Sequence, residues 1–135
     1  MSATAAATHP TRLEGGPRAA SWAARTLLGL LGAIGLPAVA YFAFFATPED
    51  GGVASAVDWA VGAWAAVVFV GYLVTAVLLS PSRPVVHRVA VGLVLSHLVF
   101  GAVKLVGYGE TSAWLFGVVD VVVLILLLVG RPRRD

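Results

Sequence analysis

Apolar residues along this chain are gathered into four long blocks that short polar stretches separate. The blocks cover about residues 23–46, 56–79, 85–106 and 113–129, and polar positions inside them are rare. An apolar block of about 20 residues can cross a hydrocarbon core of roughly 30 Å as a helix that rises about 1.5 Å per residue. The pattern therefore predicts an all-α protein, an integral membrane bundle of four transmembrane helices.

The polar stretches divide the chain into three parts. Residues 1–20 are rich in Ala, Thr, Gly and Pro without an apolar period, which is typical of a disordered tail. Residues 21–130 form the predicted transmembrane domain, and residues 131–135 form a basic end. The first apolar block has a basic lead-in but is longer than the core of a secretory signal, so we expect it to be retained as a helix.

Basic residues segregate to one side of such a bundle. Eight of the nine Lys and Arg residues lie before or at the start of the first block, between the second and third blocks or at the start of the third, or after the fourth: Arg12, Arg18, Arg25, Arg83, Arg88, Arg131, Arg133 and Arg134. The loops on the other side carry Glu49, Asp50 and Glu110. Because Lys and Arg are enriched in cytoplasmic loops, we expect both termini in the cytoplasm. The excess of Arg over Lys, with abundant Ala, Gly and Val, is typical of a GC-rich bacterial genome, so the expected location is a bacterial cell membrane.

The composition excludes several other classes of protein. Hydrophobic residues make up 59% of the chain and charged residues 12%, and the mean hydropathy is +0.93. The absence of cysteine excludes disulfides, thiolate metal ligands and a thiol nucleophile. The net charge is +2, but the basic residues are too dispersed to form a nucleic-acid surface. No metal, nucleotide or nucleophile motif is present, so we expect no metal and no cofactor.

Four ionisable side chains lie within or at the edge of the apolar blocks: Asp58, His97, Lys104 and Asp120. An isolated charge at the centre of a bilayer costs about 2.5 to 3.5 kcal/mol on insertion scales. These side chains should therefore face the bundle interior and find partners there. We expect His97, Lys104 and Asp120 to form an intramembrane polar centre.

The third and fourth helices form a hairpin that turns near Gly109, and this fixes which residues lie at the same depth. His97 is nearly level with Asp120, and Lys104 lies two helical turns closer to the hairpin. Side chains lean toward the N-terminus of their helix, so Lys104 and Asp120 lean toward each other in antiparallel neighbours. The expected contact is a buried ion pair between Lys104 and Asp120, with His97 beneath it.

Other interpretations of the polar residues stay open. Lys104 could instead reach water or pair with Glu110, which would make it a positioning residue. Asp58 is expected to interact with the N-terminal dipole of the second helix and to mark the membrane interface, and Tyr72 could line a cavity or bond between helices. The spacings of Gly62 with Ala66 and of Gly92 with Ser96 match the pattern of closely packed membrane helices.

The run HLVFGAVKLVG, residues 97–107, resembles a helix of DoxX-like proteins, a group of small bacterial four-helix membrane proteins. The matching positions are His97, Gly101, Lys104, Leu105 and Gly107. In that group the motif usually lies in the first helix, whereas here it lies in the third. The resemblance implies a four-helix membrane protein and, for some members of the group, a part in sulfur or redox metabolism at the membrane.

Three functions are compatible with these features. The favoured one is a non-catalytic accessory or assembly subunit of the inner membrane, in which a buried Lys–Asp pair fixes helix register or a partner contact. The second is a small-solute or proton-coupled carrier that uses Asp120 and His97 as titrating groups. The third is a membrane enzyme or redox-associated protein acting on a lipophilic substrate. The expected partners are the lipid bilayer and either further copies of the chain or a larger membrane protein.

Overall fold

The computed structural model describes residues 15–44, 55–80 and 82–131, and this part of the chain is all-helical. Its four helices are α1 (Gly15–Phe44), α2 (Ala56–Leu78), α3 (Pro84–Gly107) and α4 (Ala113–Val129). The predicted all-α fold with four helices is confirmed. Most of the predicted tail, the acidic loop with Glu49 and Asp50, and the chain after Arg131 lie outside the described residues.

Helix α1 begins at Gly15, so residues 15–20, which the sequence pattern assigns to the tail, are helical. Pro17 is tolerated there because the first-turn amides of a helix have no intrahelical acceptor. Ala19 and Ala20 are strong helix formers, and Ala20 is buried. The helix continues through Pro37 without a break. The apolar pattern missed this first stretch because alanine is a strong helix former but only weakly apolar.

The four helices form a ring in which each helix packs against two neighbours. Helices α1 and α2, α2 and α3, α3 and α4, and α4 and α1 are in contact. Among the residues that the structure describes, the backbones of the diagonal pairs, α1 with α3 and α2 with α4, do not approach each other. The buried core, which includes Leu28, Val68, Val94, Val123 and Leu127, lies along the axis of the ring.

The two ends of the bundle carry opposite kinds of side chain. One end holds the start of α1, the end of α2, the start of α3 and the end of α4, and we call it the arginine end. Its described arginines are Arg18, Arg25, Arg83, Arg88 and Arg131. The opposite end holds Asp58, Lys104 and Glu110, and we call it the acidic end.

Arg25 joins α1 to the last turn of α2. Its Nε donates a hydrogen bond of 2.9 Å to the carbonyl oxygen of Ala76, and its Nη2 donates one of 3.3 Å to that of Val77. The last four carbonyl groups of a helix have no intrahelical donor, and a cation there also interacts favourably with the helix dipole. Arg25 therefore caps α2 from the neighbouring helix.

Replacing Arg25 by glutamine should lower the free energy of unfolding by about 1 kcal/mol, since hydrogen bonds to charged groups are lost at a helix terminus. The measurement is reversible unfolding in mixed micelles, followed by helical circular dichroism. Arg18→Gln is the matched control, because Arg18 is exposed in the first turn of the same helix. Equal losses in the two variants would contradict the capping role.

Glycines bring α1 close to α2 at mid-bundle. A Cβ atom at Gly32 would lie 2.7 Å from Leu73 Cγ and 2.8 Å from the carbonyl oxygen of Phe69, and one at Gly35 would overlap the Phe69 ring. A Cβ atom at Gly71 would likewise lie 2.7 Å from Leu93 Cδ1, so α2 also approaches α3 closely. At Gly32 and Gly35, α1 lies directly against Phe69, whose side chain is buried.

The glycines that the sequence pattern selected for close packing behave differently. A Cβ at Gly62 or at Gly92 would meet nothing within 4 Å in the structure. The spacing therefore does not mark a close approach of two helices at Gly62 or at Gly92.

Three helices are long and apolar enough to cross a membrane, namely α1, α2 and α3. Helix α4 is equally apolar but has 17 residues. At about 1.5 Å per residue it is about 25 Å long, slightly less than a typical hydrocarbon core. Asp120 is its only charged residue, and it lies near the middle of the helix.

Candidate functional site

Three polar side chains from three helices meet inside the ring, and we call Tyr72, His97 and Asp120 the polar centre. One carboxylate oxygen of Asp120, Oδ2, lies 2.7 Å from His97 Nδ1. The Tyr72 hydroxyl donates a hydrogen bond of 3.1 Å to the other oxygen, Oδ1. Asp120 on α4 is thus held by α3, its neighbour, and by α2, which lies diagonally across the ring.

The contact between His97 and Asp120 requires a hydrogen on one of its two atoms. Two bare lone pairs at 2.7 Å would repel each other, so either the imidazole carries a hydrogen on Nδ1 or the carboxyl group is protonated. The carboxylate oxygen lies off the direction of an Nδ1–H bond, so the contact is electrostatic rather than a linear hydrogen bond.

The polar centre is closed to solvent. The exposed fraction is 0% for Tyr72, 1% for Asp120 and 3% for His97. A buried charge is stabilised only when it is paired, because the surrounding apolar groups cannot replace water. The site can therefore hold a proton or a charge pair, but it offers no surface to a substrate.

Aromatic rings surround the imidazole of His97. Phe69 and Tyr72 meet it edge to face, with ring centroids 5.0 and 5.5 Å away. Phe100 stacks on it at 5.9 Å with an interplanar angle of 15°, and Phe116 meets it at 6.3 Å. The sequence pattern gave no reason to select these phenylalanines, because apolar residues inside a transmembrane block carry no signal for a particular neighbour.

A second polar contact lies next to this aromatic shell. Trp64 Nε1 donates a hydrogen bond of 2.8 Å to Ser96 Oγ, which joins α2 to α3 one residue before His97. The Trp64 ring also meets Phe100 edge to face at 5.5 Å. Ser96 therefore takes part in a hydrogen bond between two helices.

Lys104 does not form the predicted pair with Asp120. Its Nζ forms an ion pair with Glu110, and the ammonium group also lies 5.6 Å from the centroid of the Tyr108 ring. Lys104 and Asp120 differ in depth by about six residues, or roughly 9 Å, whereas Glu110 follows directly after the last turn of α3. The structure therefore has the alternative contact, in which Lys104 pairs with Glu110 and acts as a positioning residue at the end of α3.

Asp58 caps α2 at the acidic end. Its carboxylate accepts hydrogen bonds from the backbone N–H and the hydroxyl of Ser55, and the Ser55 hydroxyl accepts one from the Asp58 N–H. This is a capping box, in agreement with the expected dipole interaction. The Tyr108 hydroxyl donates to the same carboxylate at 3.4 Å, which ties the start of α2 to the end of α3.

Comparison with models of known protein families, with characterised proteins and with solved structures gives no match for this chain. The resemblance to DoxX-like proteins therefore stays a prediction. Within the structure, two of the residues that carry it have separate roles. His97 belongs to the polar centre, and Lys104 belongs to the acidic end.

The arrangement limits the chemistry of the polar centre. Within the described ranges, no three His, Asp or Glu side chains lie close enough together to hold a metal ion. Of the six residues selected from the sequence, Tyr72, His97 and Asp120 come together in the interior. Asp58, Lys104 and Glu110 lie at the acidic end.

Replacing Tyr72 by phenylalanine should lower the free energy of unfolding by about 1 kcal/mol, because one buried hydrogen bond is lost while the ring is kept. The measurement is reversible unfolding in mixed micelles. Tyr108→Phe serves as the comparison, since it also removes a hydrogen bond between two helices but at an exposed position, where the loss should be smaller. A Tyr72→Phe variant as stable as the parent would show that the hydroxyl does not hold α2 to α4.

Proposed function

We propose that the chain is a multi-pass protein of the bacterial cell membrane that crosses the bilayer four times, with both termini in the cytoplasm. The distribution of charge supports this topology, because the described arginines gather at one end of the bundle. Trp22 at that end and Trp59 and Trp114 at the other are exposed. Aromatic residues at both ends are typical of the two membrane interfaces.

The length of α4 is compatible with a fourth crossing. Its C-terminal Gly130 approaches Pro17 and Ser21 at the start of α1, and its first residue, Ala113, follows the turn after α3. Helix α4 therefore reaches from the acidic end to the arginine end, although it is shorter than α1 and α3. A hydrophobic helix a few ångströms short is accommodated by local thinning of the bilayer at modest cost.

Reporter fusions test the topology. Alkaline phosphatase fused after residue 52, between α1 and α2, should be active because that enzyme folds only outside the cytoplasm. The same enzyme fused at the C-terminus should be inactive, and a green fluorescent protein at that position should fluoresce. An active phosphatase at the C-terminus would contradict the four-crossing topology.

For the role of the protein, we propose a non-catalytic accessory or assembly subunit whose polar centre fixes the packing of α2, α3 and α4. The closure of the site carries this proposal, since Tyr72, His97 and Asp120 are at most 3% exposed and contact one another. A buried polar group in a helical bundle disfavours wrong registers, because a shifted helix would leave that group without its partners.

Isolation from the native membrane in a mild detergent tests this role. We expect the protein to co-purify with a larger membrane protein, and we expect Asp120→Asn to weaken the association through altered helix packing. Lys104→Met is the matched control, because Lys104 lies at the acidic end away from the centre. Recovery of the protein alone, together with proton-dependent uptake of a solute in liposomes, would contradict the accessory role.

A proton-coupled carrier is the second candidate, and the pairing of His97 with Asp120 favours it over the enzyme. Both groups can exchange a proton, and they share one contact near the middle of the bundle. If the protein is a carrier, purified protein in liposomes will give uptake that depends on the pH gradient and is abolished by Asp120→Asn. An enzyme would need a substrate path to Asp120, which its 1% exposure does not provide.

A further inference from the structure

Among the described residues, no acidic or hydroxyl side chain caps the free backbone N–H groups at the start of α3. Its N-cap residue is Arg83, whose side chain makes no capping hydrogen bond, and the first turn contains no acidic residue. The first intrahelical donor is the His87 N–H, which bonds the Arg83 carbonyl oxygen at 3.3 Å. Pro84 has no N–H, so the amides of Val85 and Val86 are left without an intrahelical acceptor.

The contrast with α2 makes this start unusual. There the side chains of Ser55 and Asp58 form a complete capping box. At α3 the residue beside the positive end of the helix dipole is Arg83 instead. Positive side chains at this end of a helix are unfavourable unless an anion lies nearby.

His87 supplies an independent sign of a ligand at this place. Its side chain is 7% exposed, and its Nε2 atom is buried without a hydrogen-bond partner among the described residues. The side chain of a helical residue leans toward the N-terminus of its helix, so the imidazole lies over the first turn of α3. A buried ring nitrogen without a partner is costly, and a ligand with acceptor oxygens would remove that cost.

Arg131 lies at the same end of the bundle as His87, because α4 packs beside α3 and runs antiparallel to it. It follows the last turn of α4 and is exposed, so its guanidinium group can move to meet an anion without disturbing that helix. The free N–H groups at the start of α3 and the Arg131 guanidinium group suit phosphate best, because helix N-termini and arginine side chains both bind phosphate oxygens well.

We propose that the arginine end binds a phosphate anion at the start of α3, between His87 and Arg131. The donors are the amides of Val85 and Val86, His87 Nε2 with a hydrogen, and the Arg131 guanidinium group. Two sources present this anion at a membrane surface, a phospholipid headgroup and free inorganic phosphate. Basic pockets between helices on the cytoplasmic side of membrane proteins bind lipid phosphates in the same way.

The test uses the full chain in a mild uncharged detergent and measures its thermal stability and its ligand affinity. Phosphatidylglycerol, phosphatidylcholine and inorganic phosphate are added in separate titrations, and native mass spectrometry counts the bound lipids. We expect phosphatidylglycerol to stabilise the parent more than phosphatidylcholine does. The variants Arg131→Gln and His87→Gln should each lower that affinity by about tenfold, since each loses a hydrogen bond to a charged group.

Arg88→Gln is the matched control, because it removes the same charge from an exposed position one residue from His87. It should keep most of the affinity. If His87→Gln does not fold, Arg131→Gln decides the test alone. Stabilisation by phosphatidylglycerol but not by inorganic phosphate identifies a lipid headgroup, and stabilisation by both identifies a site for either source.

Two results would overturn the proposal. In the first, neither phosphatidylglycerol nor inorganic phosphate stabilises the parent beyond phosphatidylcholine. In the second, Arg88→Gln and Arg131→Gln lose the same affinity, which would reduce the effect to general attraction between a basic surface and anions. Either result leaves the proposed topology and accessory role untouched, because they depend on other residues.

Discussion

Replacement of Asp120 by alanine is expected to lower the free energy of unfolding of the bundle by about 3 kcal/mol, because two buried polar groups lose their partner at once. The change leaves the Tyr72 hydroxyl without its acceptor and the His97 imidazole without its polar neighbour in a closed apolar interior. Asp120→Asn should cost less, because an amide oxygen can still accept the bond from Tyr72. Unfolding in mixed micelles, followed by helical circular dichroism, gives both values.

Lys104→Met and Glu110→Gln are the controls for this prediction. The pair that they interrupt is partly exposed at the acidic end, with exposed fractions of 27% and 34%. Exposed ion pairs contribute about 0 to 1 kcal/mol, so each variant should lose at most about 1 kcal/mol. A Lys104→Met variant that loses as much as Asp120→Ala would place the energetic centre of the bundle at the acidic end instead.

The second large effect is expected at Gly32, where replacement by leucine should cost about 3 kcal/mol or prevent assembly of the bundle. The new Cβ would lie 2.8 Å from the carbonyl oxygen of Phe69, and a backbone atom cannot move aside as a flexible side chain can. Forcing extra atoms into a packed interface typically costs 1 to 3 kcal/mol. The same unfolding measurement gives the loss.

Gly62→Leu is the matched control for Gly32, because a Cβ there meets nothing within 4 Å. Both substitutions add the same side chain to a membrane helix, so they differ only in what surrounds it. We expect Gly62→Leu to be about as stable as the parent. If both variants lose the same amount, the loss would come from the leucine itself rather than from the approach of α1 to α2.

The helices were largely predictable because long apolar blocks carry a strong signal. The predicted second, third and fourth helices differ from the observed ones by a residue or less at each end, whereas α1 starts eight residues earlier than expected. That difference has a physical reason, since residues 15–22 are mostly small or polar and include only one large apolar residue, Trp22. Hydropathy marks the part of a helix that meets lipid, not the part that continues beyond it.

The depth of the polar residues was also predictable, but their pairing was not. The hairpin geometry places His97 level with Asp120, and this is the pair in the structure. The expected contact with Lys104 relied on the lean of two side chains across about 9 Å, and it gave too little weight to Glu110, which lies close to Lys104 in the chain. Glu110 follows the end of α3 and lies at the same end of the bundle as Lys104, so their pairing does not have to span that difference in depth.

Contacts between distant helices could not be predicted from one sequence. Nothing in the spacing of residues indicates that Tyr72 on α2 would reach Asp120 across the diagonal of the ring. That contact depends on the arrangement of the helices around the axis. It also depends on the close approach of α1 to α2 that Gly32 and Gly35 allow. Glycine spacing alone selected Gly62 and Gly92, since it does not say which face of a helix meets a neighbour.

A pair of double-mutant cycles tests the central claim most directly, namely that Asp120 is held by His97 in the interior of the bundle. The first cycle combines Asp120→Ala with His97→Ala, and the second combines Asp120→Ala with Lys104→Met. Residues in contact show coupling of about 0.5 to 3 kcal/mol, whereas distant ones are additive within about 0.5 kcal/mol. We expect coupling of about 1 kcal/mol or more in the first cycle and additivity in the second, and the reverse result would contradict the account.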